Sequence, residues 1–297
     1  MLPCGHGGAA TPRRFKVTQY HAMRNLGILS PHARVELLEG IITDMHRPSP
    51  RELEVMARLA EAIAEGLHAE LHAAPPAHPE SYATFDPTLM VHDWENSPLT
   101  EPLPLHRFSI AEYHRLIEAG IVPRSPETEL IDGIVFEAPR RGERTRDVVG
   151  RLESSLGASL SDSLGASLGD HATWRTGTPI RLGPYSEVRP DIVLIRPRTD
   201  GFVQGPPTGA DVVLLVDVRD EGSDERHAVE WPVYARWGVK AVWLIDLVER
   251  RLLGGSDPKD DRYAVVTTCR EHDTIPVAVD GLESGIVPSV ASTLRRD

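Results

Sequence analysis

The segments SEVRPDIVLIRP, residues 186–197, and ADVVLLVDVRD, residues 210–220, decide the fold. Each holds a short β-branched apolar run without polar alternation, which predicts a strand covered on both faces. Pro190 and Pro197 bracket the first run, and a residue without an N–H cannot continue a ladder, so that strand lies between them. Each run also carries an acid at one end: Asp191 opens IVLI and Asp217 closes VVLLV. Desolvating a carboxylate costs several kcal/mol unless a cation or hydrogen-bond donors compensate. If the two strands are sheet neighbours, Asp191, Asp217 and the Val218 carbonyl converge on one face as oxygen donors. Mg²⁺ takes such ligands, with water completing its octahedron. Glu129 and Glu187 are candidates to join as outer or water-positioning groups. The same spacing also fits two salt-bridged strand caps, because Arg189, Arg196 and Arg219 lie close in sequence.

Working outward, TWRTGTPIRL (173–182) alternates as a strand does, and residues 223–237 form a polar helix stopped by Gly238. VKAVWLIDLVERRLL (239–253) and RYAVVTT (262–268) read as a buried strand and a following meander. Upstream, residues 145–160 suggest a helix running into the near-repeat SLGASLSDSLGASLGD, which is assigned no chemistry. Before it, TELIDGIVFEA (128–138) is a hairpin around Asp132 and Gly133, a dipeptide suited to a tight positive-φ turn. A helix with Tyr113, Leu116, Ile117 and Ile121 on one side precedes the hairpin and stops near Gly120. These elements add up to an α/β (α+β mixed) domain with a central mixed sheet flanked by helices.

The opening of that domain occurs twice. A shift of 93 positions lays the stretch from Phe15 on the stretch from Phe108 without a gap. It matches Tyr20 with Tyr113, His21 with His114, Gly27 with Gly120, Glu36 with Glu129 and Gly40 with Gly133. The first copy dissolves into a Pro-rich stretch. The expected organisation is therefore a flexible N-terminus (1–14), a partial, degenerate repeat (15–91), a Pro-rich linker (92–106) and the main domain (107–297). The half-copy invites a reading as a pseudo-subunit that covers a sheet edge or stands in for a dimer partner.

With 297 residues, 44 acidic against 32 basic side chains and a net charge of -12, the chain cannot bind polyanions through an overall positive field. Any contact with DNA must be local, and the Arg-rich run RRGERTRDVVGR (140–151) reads either as the lining of such a groove or as a solvated helix face. Two cysteines, Cys4 and Cys269, allow neither a disulfide framework nor a Cys-based zinc site, which fits a reducing compartment and a cytoplasmic protein. No run approaches the roughly 18 apolar residues of a membrane span. His68, His72 and His78 have near-helical spacing but no fourth ligand in pattern, so a zinc site is not expected.

The run from RFSIAEYHRLIEAGI through ETELIDGIV, then SEVRPDIVLIRPR, DVVLLVDVRD, WPVYARWGVKAVWLIDL and RYAVVTT, resembles the Uma-two family of restriction-endonuclease-like proteins, within the PD-(D/E)XK nuclease superfamily. The resemblance spans residues 107–293. It implies a restriction-endonuclease-like core that hydrolyses DNA phosphodiesters with Mg²⁺. Asp191 matches the Asp of the PD motif, Asp217 the second acid, Glu129 the early Glu of the hairpin and Glu187 the acid before the PD motif. The resemblance also exposes departures. The family's Lys falls at Glu230, four residues before Tyr234, and the Asp one turn earlier falls at Arg226. Arg219 and Lys240 are the candidate replacements, Arg219 only as an electrostatic clamp because a guanidinium keeps its proton. The His that the family often shows at the start of the long helix falls at Thr145, and the Gln before the first strand's Pro falls near Gly177. Two expectations follow: a Mg²⁺-dependent endonuclease with a degraded site, or an inactive nuclease fold that binds DNA or protein. A homodimer is the assembly considered.

Overall fold

In the computed structural model the two apolar runs become neighbouring strands in the interior of a six-stranded sheet. The structure describes residues 11–38, 40–45, 50–51, 54, 57–58, 105–137, 141–164, 172–220, 224–270 and 273. Residues 92–104 of the expected linker (92–106), His68, His72, His78, the end of the SLGASL tract and the side chain of Arg226 lie outside the described residues.

In chain order the strands are β1 (Thr11–Pro12), β2 (Val35–Leu38), β3 (Ile41–Asp44), β4 (Thr128–Ile131), β5 (Ile134–Glu137), β6 (Thr173–Thr176), β7 (Ile180–Arg181), β8 (Glu187–Val188), β9 (Ile192–Ile195), β10 (Val212–Arg219), β11 (Ala241–Asp246), β12 (Arg251–Lys259) and β13 (Arg262–Cys269). The helices are α1 (Val17–Asn25), α2 (Ile110–Glu118), α3 (Glu143–Leu164) and α4 (Asp224–Arg236). The large sheet runs β13-β12-β11-β10-β9-β6. Only β10 and β11 are parallel in it, the pair joined through α4, because a parallel connection needs a crossover. A second, antiparallel sheet runs β1-β5-β4-β8-β7, and β2 pairs with β3.

The chain is mixed α/β, as its sequence predicts, with one refinement. The expected single central sheet is two sheets, and TWRTGTPIRL divides between them, β6 in the large sheet and β7 in the small one. Gly177, with φ at +55°, makes the turn that lets one alternating segment serve both. The chain makes a second step at Arg189 and Pro190, between β8 of the small sheet and β9 of the large one.

Strand alternation accounts for the unbroken apolar runs. Ile192 and Leu194 of β9 pack with Leu214, Val216, Trp243 and Ile245 beneath Val148 and Leu152 of α3. Val193 and Ile195 face the other way, with Leu215 and Val242, onto Val233 and Tyr234 of α4 and Ile131, Ile180 and Val188 of the small sheet. Both faces are dry, so polar positions have no place in these strands. Each such side chain contributes roughly 1.5–3 kcal/mol of burial. The chain divides into two compact units, residues 1–32, 37–41 and 106–297 in one, and residues 33–36 and 42–105 in the other. All candidate site residues belong to the larger.

Candidate active site

Asp191 and Asp217 come together as the spacing predicts. The antiparallel register of β9 and β10 sets Val193 opposite Leu215 and Ile192 opposite Val216, so one further step sets Asp191 opposite Asp217. By alternation both carboxylates lie on the face that packs against α4. Both are buried, with 2% and 6% exposure. Each carboxylate is tied to the other's backbone neighbourhood: the Asp191 N–H donates to Asp217 Oδ1 at 3.3 Å, and the Val218 N–H donates to Asp191 Oδ2 at 2.8 Å. Tyr234, from α4, donates its hydroxyl to Asp217 Oδ2 at 3.2 Å.

Val218 is placed by the same logic. The N–H and C=O of one strand residue point to the same side, and the Val218 N–H points to the β9 side. The residue that would face it in the ladder is Pro190, which has no N–H to offer. The carbonyl of Val218 therefore lies at a strand end where the sheet supplies no donor from that position.

The cation beside this acid pair comes from a residue the sequence reading did not single out. Arg141, two residues ahead of α3, forms an ion pair from Nη1 to Asp191 Oδ1 and donates from Nη2 to the Arg189 carbonyl at 3.2 Å. It lies 50 positions before its partner, and only its place in an Arg-rich run hinted at a role. The alternative of salt-bridged strand caps pointed to Arg189, Arg196 and Arg219, whereas Arg141 is the residue on Asp191 and Arg219 lies within 3.6 Å of Asp246 Oδ2.

The supporting acids form a separate group in the small sheet. Glu129 Oε1 accepts from the Arg189 N–H at 2.5 Å, two residues before Asp191, and so fixes the turn that delivers it. Glu187 is held by His114 Nε2, 3.1 and 3.0 Å from its two oxygens, and by Arg181 Nε at 3.1 Å. His114 and Arg181 escaped the sequence reading because 73 and 6 positions separate them from Glu187 with no motif between. Tyr113 packs beside this group. Burial pushes its hydroxyl up to about 12, helped by Glu187 and Glu129 and opposed by Arg189. Glu230, on α4, is fully buried at 0% exposure, whereas Lys240 is exposed just before β11.

Among the described residues no group of three or more His, Cys, Asp or Glu side chains is placed to hold a metal ion. The donor set of two carboxylates and one strand-end carbonyl is nevertheless hard and all-oxygen, the chemistry that suits Mg²⁺. The Arg141 guanidinium already stands as a cation at Asp191 Oδ1. These residues fit a divalent ion, with waters completing its coordination.

A family model, Uma2, described as "Putative restriction endonuclease", matches residues 110–289, more than half of the chain. No curated protein matches. Among solved structures, one described as a "putative nuclease belonging to DUF820 from Anabaena variabilis ATCC 29413" is 14% identical, with a TM-score of 0.47, covering 63% of this chain and 97% of its own.

Proposed function

The chain belongs to the Uma2 family of "Putative restriction endonuclease" proteins, and from that premise we propose that it hydrolyses DNA phosphodiester bonds at Asp191 and Asp217 with the help of Mg²⁺. The observation that carries the reading is the pairing of these two buried carboxylates across adjacent strand ends, beside a strand-end carbonyl. Asp191, Asp217 and the Val218 carbonyl would hold the ion, which supplies charge neutralisation and a more acidic bound water.

The chain's own residues do the rest. The Val218 and Asp191 N–H groups fix the two carboxylates in orientation, and the Tyr234 hydroxyl holds the second oxygen of Asp217. Glu129 fixes the backbone at Arg189 and so the approach of Asp191. An ion held at Asp191 would displace Arg141 from Oδ1, and the guanidinium, still anchored near the Arg189 carbonyl, would stand beside the site where it can meet a phosphate oxygen. Arg219 contributes field rather than contact, because it lies by Asp246.

A second reading, a nuclease fold that binds DNA or protein without cleaving it, is favoured by Glu230. That buried acid stands where the family resemblance calls for a Lys. It puts a carboxyl group where an ammonium would assist the developing phosphorane.

A plasmid-nicking assay with Mg²⁺ titration separates the two. Nicking by the natural chain that Asp191→Ala abolishes, together with a heat of Mg²⁺ binding lost in the same variant, supports the enzyme. An inert natural chain that Glu230→Lys revives supports decay of the site. In the same titration Arg141→Gln should bind Mg²⁺ several-fold more tightly, because the ion no longer displaces a guanidinium from Asp191. Unchanged affinity removes Arg141 from the site.

A further inference from the structure

The helix and hairpin that open the main domain touch the corresponding segments of the N-terminal half-copy, and they do so reciprocally. Phe15 and Phe108, equivalent at the shift of 93, meet edge to face with ring centroids 6.0 Å apart. Residues that contact their own equivalents lie on the axis of a twofold interface. Off that axis the contacts exchange. Pro12, ahead of α1, pairs with Phe136 of β5. Leu105, its equivalent ahead of α2, bridges to Thr43 of β3, the equivalent of Phe136. At the helix ends contacts also run in both directions, though between residues that are not equivalents. The turn after α2 offers the Ile121 carbonyl to Gln19 Nε2 at 3.0 Å and to Arg13 Nη2 at 3.1 Å. In return, the turn after α1 offers the Gly27 carbonyl to Arg115 Nη1 at 3.0 Å.

Within each copy the backbone repeats bond for bond. Phe15 N–H to Gly40 carbonyl answers Phe108 N–H to Gly133 carbonyl, at 2.7 and 2.8 Å. Ile28 to Met23 answers Ile121 to Leu116, at 2.8 and 2.9 Å. Gly27 and Gly120 share φ near +65° (64° and 66°), and Gly40 and Gly133 have 85° and 83°. Chance packing of unrelated segments does not reproduce the internal bonds, the Phe15–Phe108 contact and the exchanged strand contacts at a single offset.

We propose that the face formed by α2, the turn after it and the outer edge of β5 is a twofold self-association surface of this domain, and that residues 11–32 occupy it as a second copy of the domain would. The chain is then a pseudo-dimer in one polypeptide. The half-copy carries Glu36 opposite Glu129 but no counterpart of Asp191 or Asp217 within residues 15–45, so it contributes association without a second acid pair.

Two experiments on the full chain test this. Leu26 is exposed and its carbonyl accepts from Arg115 Nη2, so Leu26→Cys with Arg115→Cys, on a Cys4→Ser background, places two thiols across the interface. A short bismaleimide should join them within one chain, giving a compact monomer on denaturing gels. Covalent dimers would overturn the proposal by showing that the arm comes from another molecule. Second, Phe15→Asp should release the arm and free the Phe108 face, so that a folded chain which sediments as a monomer becomes a concentration-dependent dimer. Adding Phe108→Asp should abolish that dimer. A Phe15→Asp chain that keeps its native circular dichroism and stays monomeric at every concentration would sink the idea. If Phe15→Asp unfolds instead, the crosslink alone decides.

Discussion

Helix α1 and helix α2 end in the same turn, yet what stands beside them differs. Leu26 and Ala119 take nearly the same backbone conformation, and Met23 and Leu116 are both fully buried. Around α1, His21 is exposed and Tyr20 accepts from Arg24 at 3.1 Å, a local surface contact. Around α2, His114 reaches Glu187 and Tyr113 is buried, donating to the Thr128 carbonyl at 3.0 Å. Glu36 is half-buried, while Glu129 is buried and bonded to the Arg189 backbone. The helix-and-hairpin unit is thus a scaffold that does no chemistry alone. It acquires polar work only where β8 and β9 run alongside, because those strands bring Glu187, Arg189 and Asp191.

If the two units are equal as scaffolds, equal core truncations should hurt both. Met23→Ala and Leu116→Ala each empty a site with 0% exposure, and each should cost about 2–5 kcal/mol. Urea unfolding of the two variants checks this. A loss confined to Leu116→Ala would make the N-terminal unit an ornament rather than part of the folded whole.

Polar truncations should instead separate the units. Glu129→Ala leaves the Arg189 N–H without its acceptor beside a buried turn, a cost of about 1–3 kcal/mol. Glu36→Ala, at the equivalent place, should stay within about 0.5 kcal/mol. If Asp191 is catalytic, Glu129→Ala should also slow nicking, because the turn that delivers Asp191 loses its anchor, while Glu36→Ala leaves the rate alone. Equal effects in the two variants would erase the distinction.

Much of this was legible in the residues. Short apolar runs, the first bounded by Pro190 and Pro197, announced β9 and β10, Asp132 and Gly133 announced the hairpin, and two acids at apolar strand ends announced the acid pair. These signals are local, or depend on one strand pairing with the next. Arg141 on Asp191 and His114 on Glu187 were not legible, since they depend on how α3 and α2 pack against strands 50 and 73 positions away. The division of TWRTGTPIRL between two sheets escaped for a related reason: alternation reports a dry face without saying which layer supplies it. The shift of 93 was plain in the sequence, but nothing in a repeat says that its copies will face each other.

The smallest expected difference concerns the two equivalent tyrosines. Tyr113→Phe removes a buried hydrogen bond to the Thr128 carbonyl and should cost about 1 kcal/mol at neutral pH. Tyr20→Phe removes only a half-exposed contact with Arg24 and should be nearly silent. Alkaline pH adds a second readout. Burial raises the Tyr113 hydroxyl to about 12, above the value near 10 of an unfolded chain. The folded state therefore holds a proton that the unfolded state releases, so this stabilisation is intact below about pH 10 and is lost as pH rises towards 12. Tyr263, whose hydroxyl is also raised by burial and donates to the Val239 carbonyl at 3.0 Å, adds a component of the same sign. Unfolding free energies measured from pH 8 to 11.5 should fall for the natural chain. Tyr113→Phe should fall less steeply, keeping the part due to Tyr263. Parallel curves for the two would mean that burial does not hold the Tyr113 proton, and that the hairpin side of α2 is wetter than its packing implies.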